Sequence, residues 1–153
     1  VNNITMKTNL VAQASVTIEA SPAQVWKALT TPALIKQYMM GTNVTTTWQE
    51  DSPIIYEGEY EGKAYREKGV IKKLQPERLF ESTYLSAGKE DKPENYNLVT
   101  YKLTQKGNST EVSLTQDNNA TEEAKNNSQK NWENILKKLK QVVEAPPTEA
   151  NRK

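Results

Sequence analysis

The clearest hydrophobic pattern of the chain lies near its C-terminus, in residues 119–144. The large apolar side chains recur there at intervals of three and four residues, which places them on one stripe of a long helix. They are Trp132, Ile135, Leu136, Leu139, Val142 and Val143. The preceding half has almost no apolar bulk and carries Ala124, Asn126, Asn127, Ser128, Gln129 and Asn131. A helix with one bulky half closes a core at one end and leaves space at the other. The pattern therefore predicts a helix lying across a curved sheet over a cavity.

The N-terminal half of the pattern predicts a strand followed by two short helices. Residues 11–20 alternate apolar and polar positions, as a half-buried strand does. Ser21, followed by Pro22 and Gln24, fits a capping box with proline at the first helical position. A second short helix is predicted to begin at Thr31-Pro32 and to end at Gly41.

The rest of the chain predicts strands without helical interruption, joined by short turns. These predicted strands are residues 44–49, 54–60, 64–74, 79–85, 96–105 and 110–116. Asn119, with Glu122 three residues later, is predicted to cap the final helix.

This order of elements indicates an α+β fold, because sequential strands joined by short turns favour an antiparallel sheet. We expect a curved antiparallel β-sheet of about six to seven strands wrapped around the long C-terminal helix. One domain is predicted over residues 7–145, with residues 1–6 and 146–153 as flexible ends.

Composition excludes several classes of function. The net charge of +1 gives no strong field that would recruit nucleic acid or an anionic membrane. The chain contains no cysteine and no histidine, which excludes disulfides, thiolate nucleophiles, zinc sites of the usual kind and histidine-based triads. No apolar run approaches the roughly 20 residues of a membrane span, and residues 1–9 lack the pattern of a signal peptide. We therefore expect a cytoplasmic protein.

Glutamates in the strand region raise the question of acid–base chemistry or metal binding. They are Glu57, Glu59, Glu61 and Glu67. Their alternation with tyrosines places them, as we interpret it, on the opposite face of the strands, in contact with water. No spacing resembles a calcium-binding loop. We expect no catalytic residue, no metal and no cofactor.

The tyrosines are the first candidates for a binding site. Phenylalanine occurs once and tyrosine seven times, so most of the aromatic bulk carries a hydroxyl that needs a partner when it is buried. Tyr38, Tyr56, Tyr84 and Tyr101 are predicted to line a pocket that is apolar in body and polar at a few points, with Trp48 at its mouth. Packing in the core and contact with a ligand are equally compatible with each of them.

The final helix and the loop after residue 86 supply the other candidates. Ser128 and Asn131, with Asn127 beside them, are predicted to form the helical wall of the pocket, whereas Trp132 is expected in the core. Glu94 precedes a strand and is a candidate to orient the hydroxyl or amine of a ligand. The alternative for Glu94 is a turn that satisfies its own backbone.

Five groups of residues form motifs that occur together in one known family of proteins. Residues 18–30 (IEASPAQVWKALT) form the first, and residues 68–71 (KGVI) with 76–79 (PERL) form the second. The others are residues 100–103 (TYKL), 111–118 (EVSLTQDN) and 131–136 (NWENIL). The first group resembles the opening signature, and the second resembles the central hairpin, of the activator of heat shock chaperone ATPase homologue-like family, within the START-related helix-grip superfamily.

The resemblance covers residues 14–144 and implies the helix-grip fold, which lipid-transfer domains and polyketide cyclases share. We therefore expect a non-enzymatic domain whose internal cavity binds a small hydrophobic or amphipathic molecule, such as a lipid. The alternative is a stress-related co-chaperone module that contacts a chaperone or another protein through its surface. A cyclase or hydrolase ranks last, because the residues suggest no paired acid and base in the pocket.

Overall fold

A computed structural model describes residues 9–145 of the chain. The ends predicted to be flexible, residues 1–6 and 146–153, lie outside the described residues. Strand β1 (Ala12–Ile18) is followed by the short helices α1 (Pro22–Thr30) and α2 (Pro32–Tyr38). The predicted capping box at the start of α1 is present: the Ser21 hydroxyl accepts from the Gln24 amide at 3.2 Å, and the Gln24 side chain accepts from the Ser21 amide at 3.1 Å.

The strands form one antiparallel sheet of seven, which agrees with the predicted number. After β1 they are β2 (Asn43–Thr46), β3 (Pro53–Tyr60), β4 (Lys63–Gln75), β5 (Leu79–Tyr84), β6 (Asn97–Lys106) and β7 (Ser109–Gln116). Their order across the sheet is β1-β7-β6-β5-β4-β3-β2, so successive strands from β2 to β7 are neighbours and β1 pairs beside β7.

The turn chemistry of two hairpins agrees with the sequence. Glu61 and Gly62 join β3 to β4, and both have positive φ angles, of 49° and 80°. Gly107, with φ of 62°, opens the turn between β6 and β7. Strand β2 is shorter than predicted, because the chain leaves the extended conformation at Trp48, whose φ is 57°.

Strand β4 is 13 residues long, and its pairing with β5 has a register shift between Ile71 and Lys73. Gly69 lies just before that shift. A Cβ atom at Gly69 would stand 1.7 Å from the carbonyl oxygen of Thr83 in β5, so only glycine allows the two backbones to approach this closely. A register shift of this kind favours a local bend of the strand, and Gly69 lets the backbones of β4 and β5 come close together just before it.

Helix α3 (Glu122–Glu144) packs mainly against β1 and also contacts α1, α2 and β7. The predicted stripe faces the core, where Leu136 and Leu139 are fully buried. The predicted cap at Asn119 is wrong: the cap is Thr121, whose hydroxyl accepts from the Ala124 amide at 3.0 Å. Asn119 is instead buried, and its side-chain amide donates to carbonyl oxygens before β1 and at the end of β7.

The architecture is the predicted helix-grip α+β fold, with a curved seven-stranded antiparallel sheet around the long helix. Among the helices of the described residues, none combines the length and the apolar character needed to cross a membrane.

Candidate functional site

A cavity of about 520 Å³ lies between the N-terminal half of α3 and the sheet. The helix contributes Ser128, Asn131, Trp132 and Ile135. The end of α2 and the loop after it contribute Met39, Met40 and Thr42. The strands and the segment after β5 contribute Tyr56, Glu59, Tyr60, Tyr65, Glu67, Ser82, Tyr84, Ser86, Val99, Tyr101 and Gln116. The space therefore lies where the half of α3 that lacks bulky side chains meets Trp132 and Ile135, the first residues of the bulky half.

Met40 and Tyr60 mark the mouth of the cavity. They are the two large hydrophobic residues that are exposed among residues 9–145, at 63% and 67% of their surface. Nearby, the Thr42 and Tyr65 hydroxyls form a hydrogen bond of 2.6 Å that ties the loop after α2 to β4.

Most of the candidates named from the sequence are brought together at this cavity. Tyr56, Tyr84 and Tyr101 line the sheet side, and Ser128 and Asn131 line the helix side. Asn127, expected beside them, does not line the cavity and is exposed. It precedes Ser128 by one residue, which in a helix turns its side chain to a different face.

The other candidates lie away from the cavity. Tyr38 is 1% exposed and belongs to the core between the short helices and the sheet. The ring of Trp48 makes an edge contact with Phe80, at 6.0 Å between ring centroids. Glu94 lies in the 3-10 turn Pro93–Asn95, where its carbonyl oxygen accepts from the Asn118 side chain at 2.8 Å. This contact matches the turn alternative for Glu94.

Trp132 was expected in the core, but it lines the cavity and is only partly buried. Its indole N–H donates to the Gln116 side chain at 2.6 Å, and its ring stands at 86° to that of Tyr101, with 6.2 Å between centroids. Trp132 thus lies at the boundary between the packed half of the helix and the open half. The sequence identifies Trp132 as the first residue of the apolar stripe. Which side of its ring meets the cavity depends on the residues of the strands that face it.

Two glutamates expected on the opposite face, Glu59 and Glu67, line the cavity, and Glu67 is the one that is not exposed. Tyr65 and Glu67 are two positions apart on β4, so they share a face, and Glu67 lines the cavity. Its carboxylate accepts from the Ala87 amide at 3.1 Å and from the Tyr84 hydroxyl. The prediction that Glu67 faces water is therefore wrong. Counting positions along β4 alone, rather than comparing it with β3, would have placed it correctly.

Burial controls the protonation of the cavity tyrosines. Desolvation raises the pKa of Tyr56 to about 12, with a partial offset from a hydrogen bond to Ser82 and a smaller contribution from the charge of Glu67. Burial and the Glu67 carboxylate raise the pKa of Tyr84 well above its ordinary value, and burial does the same for the pKa of Tyr101. Like an ordinary tyrosine, these residues are un-ionised at neutral pH, and their raised pKa values extend the un-ionised range above about pH 10.

Within residues 9–145, no group of three or more acidic, histidine or cysteine side chains is arranged to hold a metal ion.

Comparison with known proteins identifies relatives of the whole domain. The family described as "Activator of Hsp90 ATPase homolog 1-like protein" matches residues 19–144. A protein of Cytophaga hutchinsonii, known from a solution structure, is 42% identical, with a TM-score of 0.79 over 91% of this chain and 97% of that one.

More distant structures share the fold. The Aha1 dimer from Colwellia psychrerythraea is 21% identical, with a TM-score of 0.70 over 88% of this chain and 96% of that one. DynU16, a protein of the dynemicin biosynthetic locus, is 12% identical, with a TM-score of 0.76 over 90% of this chain and 48% of that one. No curated protein sequence matches the chain.

Proposed function

We propose that this chain, which belongs to the family of Activator of Hsp90 ATPase homolog 1-like proteins, is a non-enzymatic binding domain for a small hydrophobic or amphipathic molecule. The observation that carries the proposal is the cavity of about 520 Å³ at the junction of the polar and apolar halves of α3. Ligand pockets in proteins typically measure roughly 300–1,000 Å³ and combine apolar walls with a few polar groups. The volume and the lining of this cavity both fit that description.

The lining suggests how a ligand would be held. Val99, Ile135 and Trp132 offer apolar surface in the interior. The hydroxyl of Tyr56 would donate to a polar group of the ligand, whereas the hydroxyl of Tyr84 already donates to Glu67 and would only accept from the ligand. Such a site holds one end of an amphipathic molecule through hydrogen bonds and the rest through apolar contact.

The same groups favour binding over catalysis. A tyrosine whose pKa is raised by burial is a poor base at neutral pH, because its phenolate form is scarcely populated. Glu67, the carboxylate in the interior, already accepts hydrogen bonds from Ala87 and Tyr84. A cyclase or hydrolase would need a poised acid and base, so we rank that activity below binding.

A second candidate function is a surface that contacts a chaperone. The family description favours it, as do the exposed side chains of Met40 and Tyr60. Stimulation of the ATPase of an Hsp90-type chaperone by the wild-type chain, lost in the double variant Met40→Ser/Tyr60→Ser, is the result that this function predicts. If the wild-type chain leaves the ATPase rate unchanged, this function is excluded.

Binding is tested by a ligand-observed NMR screen of small hydrophobic and amphipathic compounds, followed by blocking of the cavity. Ser128→Phe places a ring in the space beside α3, so it should abolish binding of the compounds found and leave the fold intact or more stable. Asn127→Phe is the matched control, because that side chain is exposed and does not line the cavity. Binding that survives Ser128→Phe, or an empty screen, would refute the proposal.

A further inference from the structure

The charged side chains that line the cavity, Glu59 and Glu67, are both acidic. We propose that the cavity selects ligands with an aromatic or apolar body and a positively charged nitrogen, and that it rejects anionic ligands of the same shape. This inference rests on the proposed binding function and specifies the chemical class of its ligand. Glu67 supplies the charge, and the aromatic walls supply the second attraction.

Glu67 is placed to meet a ligand. It pairs directly with Tyr56 of β3 across the sheet, so both side chains point to the cavity face, and Glu67 is half-buried there. The Ala87 amide and the Tyr84 hydroxyl hold its orientation. A carboxylate has about four lone-pair sites, so these contacts leave it able to accept from a ligand as well.

No lysine or arginine of residues 9–145 lines the cavity with Glu67. Arg66 and Lys68, the basic residues adjacent to Glu67 on β4, project to the other face, where they pair with acidic partners. Lys63 lies on the same face as Glu67, four positions away, but it is exposed and does not line the cavity. Arg66 lies 3.7 Å from Glu57, and Lys68 lies 2.5 Å from Asp91. The other carboxylate of the lining, Glu59, belongs to an exposed residue next to Tyr60 at the mouth. The charges of the lining are therefore negative.

The aromatic walls act in the same direction. Trp132 and Tyr101 meet edge to face at 6.2 Å, and Tyr56 and Tyr84 meet edge to face at 5.8 Å, all in the lining of one cavity. The negative π faces of such rings attract an ammonium group, most strongly where water is excluded. An ammonium between these rings and Glu67 would gain both attractions at once.

An anionic ligand meets the opposite balance. Its carboxylate or phosphate would lose water on entering the cavity and would meet the like charge of Glu67 with no cation in the lining to compensate. A neutral alcohol avoids the repulsion and keeps its hydrogen bonds to the tyrosine hydroxyls. The expected order of affinity is thus amine, alcohol, carboxylate.

The experiment compares three probes with one aromatic body: 1-naphthylmethylamine, 1-naphthylmethanol and 1-naphthoate. Dissociation constants are measured by titration calorimetry near neutral pH, where the amine is protonated and the acid ionised. We expect the amine to bind the wild-type chain about tenfold more tightly than the alcohol, which corresponds to about 1.4 kcal/mol. The carboxylate should bind at least about tenfold more weakly than the alcohol.

Two variants test whether Glu67 causes the preference for the amine over the alcohol. Glu67→Gln keeps the acceptor for Tyr84 and Ala87 but removes the charge, so the amine and the alcohol should then bind within about twofold of each other. Glu57→Gln removes the same charge from the exposed face of the adjacent strand and should leave the preference unchanged.

The outcomes separate this inference from the proposed function. Equal binding of the amine, the alcohol and the carboxylate by the wild-type chain would overturn the charge selectivity and leave binding in the cavity intact. The same holds for an amine preference that persists in a folded Glu67→Gln variant. If Glu67→Gln does not fold, the order of the three probes on the wild-type chain decides. Failure of every compound, in this series and in the wider screen, would instead refute the binding function itself.

Discussion

Replacement of Trp132 tests how the packed half of α3 ends at the cavity. Its side chain makes three kinds of contact: apolar packing against the core, the edge contact with Tyr101 and the hydrogen bond from the indole to Gln116. The aromatic contact contributes roughly 0.5–1.5 kcal/mol beyond its area. The hydrogen bond contributes about the same, near 0.5–1.5 kcal/mol net.

These contacts set the expected cost of Trp132→Ala. Truncation of a core tryptophan costs roughly 3–5 kcal/mol, part of which arises from the cavity left behind. One side of Trp132 already borders open space, so truncation enlarges an existing cavity and creates less new void. We therefore expect about 3 kcal/mol, the lower end of that range. Trp132→Phe keeps most of the apolar contact and should cost about 1 kcal/mol, the share of the hydrogen bond.

Urea denaturation followed by far-UV circular dichroism measures both costs. With an m-value of about 2 kcal/mol per molar urea, Trp132→Ala should lower the midpoint by about 1.5 M and Trp132→Phe by about 0.5 M. Glu133→Ala, at an exposed position of the same helix, is the control and should change stability by less than about 0.5 kcal/mol. A midpoint unmoved by Trp132→Ala would refute the packing argument. Equal costs for the alanine and phenylalanine variants would refute the partition between packing and hydrogen bonding.

Three further predictions concern the strands, the first cap and the tyrosines. Ser21→Ala should cost roughly 0.5–2 kcal/mol in the same urea assay, whereas loss of the Thr31 hydroxyl, which makes no capping hydrogen bond, should cost less. Gly69→Ala should cost more than about 3 kcal/mol or prevent folding, because its Cβ would meet the Thr83 carbonyl; normal stability would refute the close approach. Spectrophotometric titration should find at least four of the seven tyrosines un-ionised at about pH 11, because the folded-state pKa is about 12 for Tyr56 and is raised for Tyr38, Tyr84 and Tyr101. The contribution of these raised pKa values to stability is complete below about pH 10, the pKa of tyrosine in the unfolded chain, and it declines as the pH rises towards the folded-state pKa values. A free energy of unfolding that stays unchanged up to about pH 12 would contradict the assignment.

The sequence by itself determined the elements that depend on local chemistry. The capping box at Ser21 involves residues three positions apart, and the turn at Glu61-Gly62 depends on backbone angles that glycine permits. The apolar stripe of α3 follows from helical periodicity, and its two central leucines are fully buried as expected. Local rules also have close alternatives: Asn119 and Thr121 both suit a helix cap, and only the course of the chain assigned the cap to Thr121.

The tertiary structure decided which tyrosines share a cavity. Tyr38 ends helix α2 and Tyr56 lies within strand β3, and the sequence makes both of them candidates for the pocket. Tyr38 nevertheless fills the core behind α2, whereas Tyr56 lines the cavity. That difference depends on which side chains oppose each of them, and the opposing residues lie on strands distant in sequence. Glu67 makes the same point, because its charge becomes a property of the cavity only when β4 pairs with β3 and places Glu67 opposite Tyr56. Periodicity along one strand determines which residues share a face, whereas the packing of helix and sheet determines whether that face meets water, core or cavity.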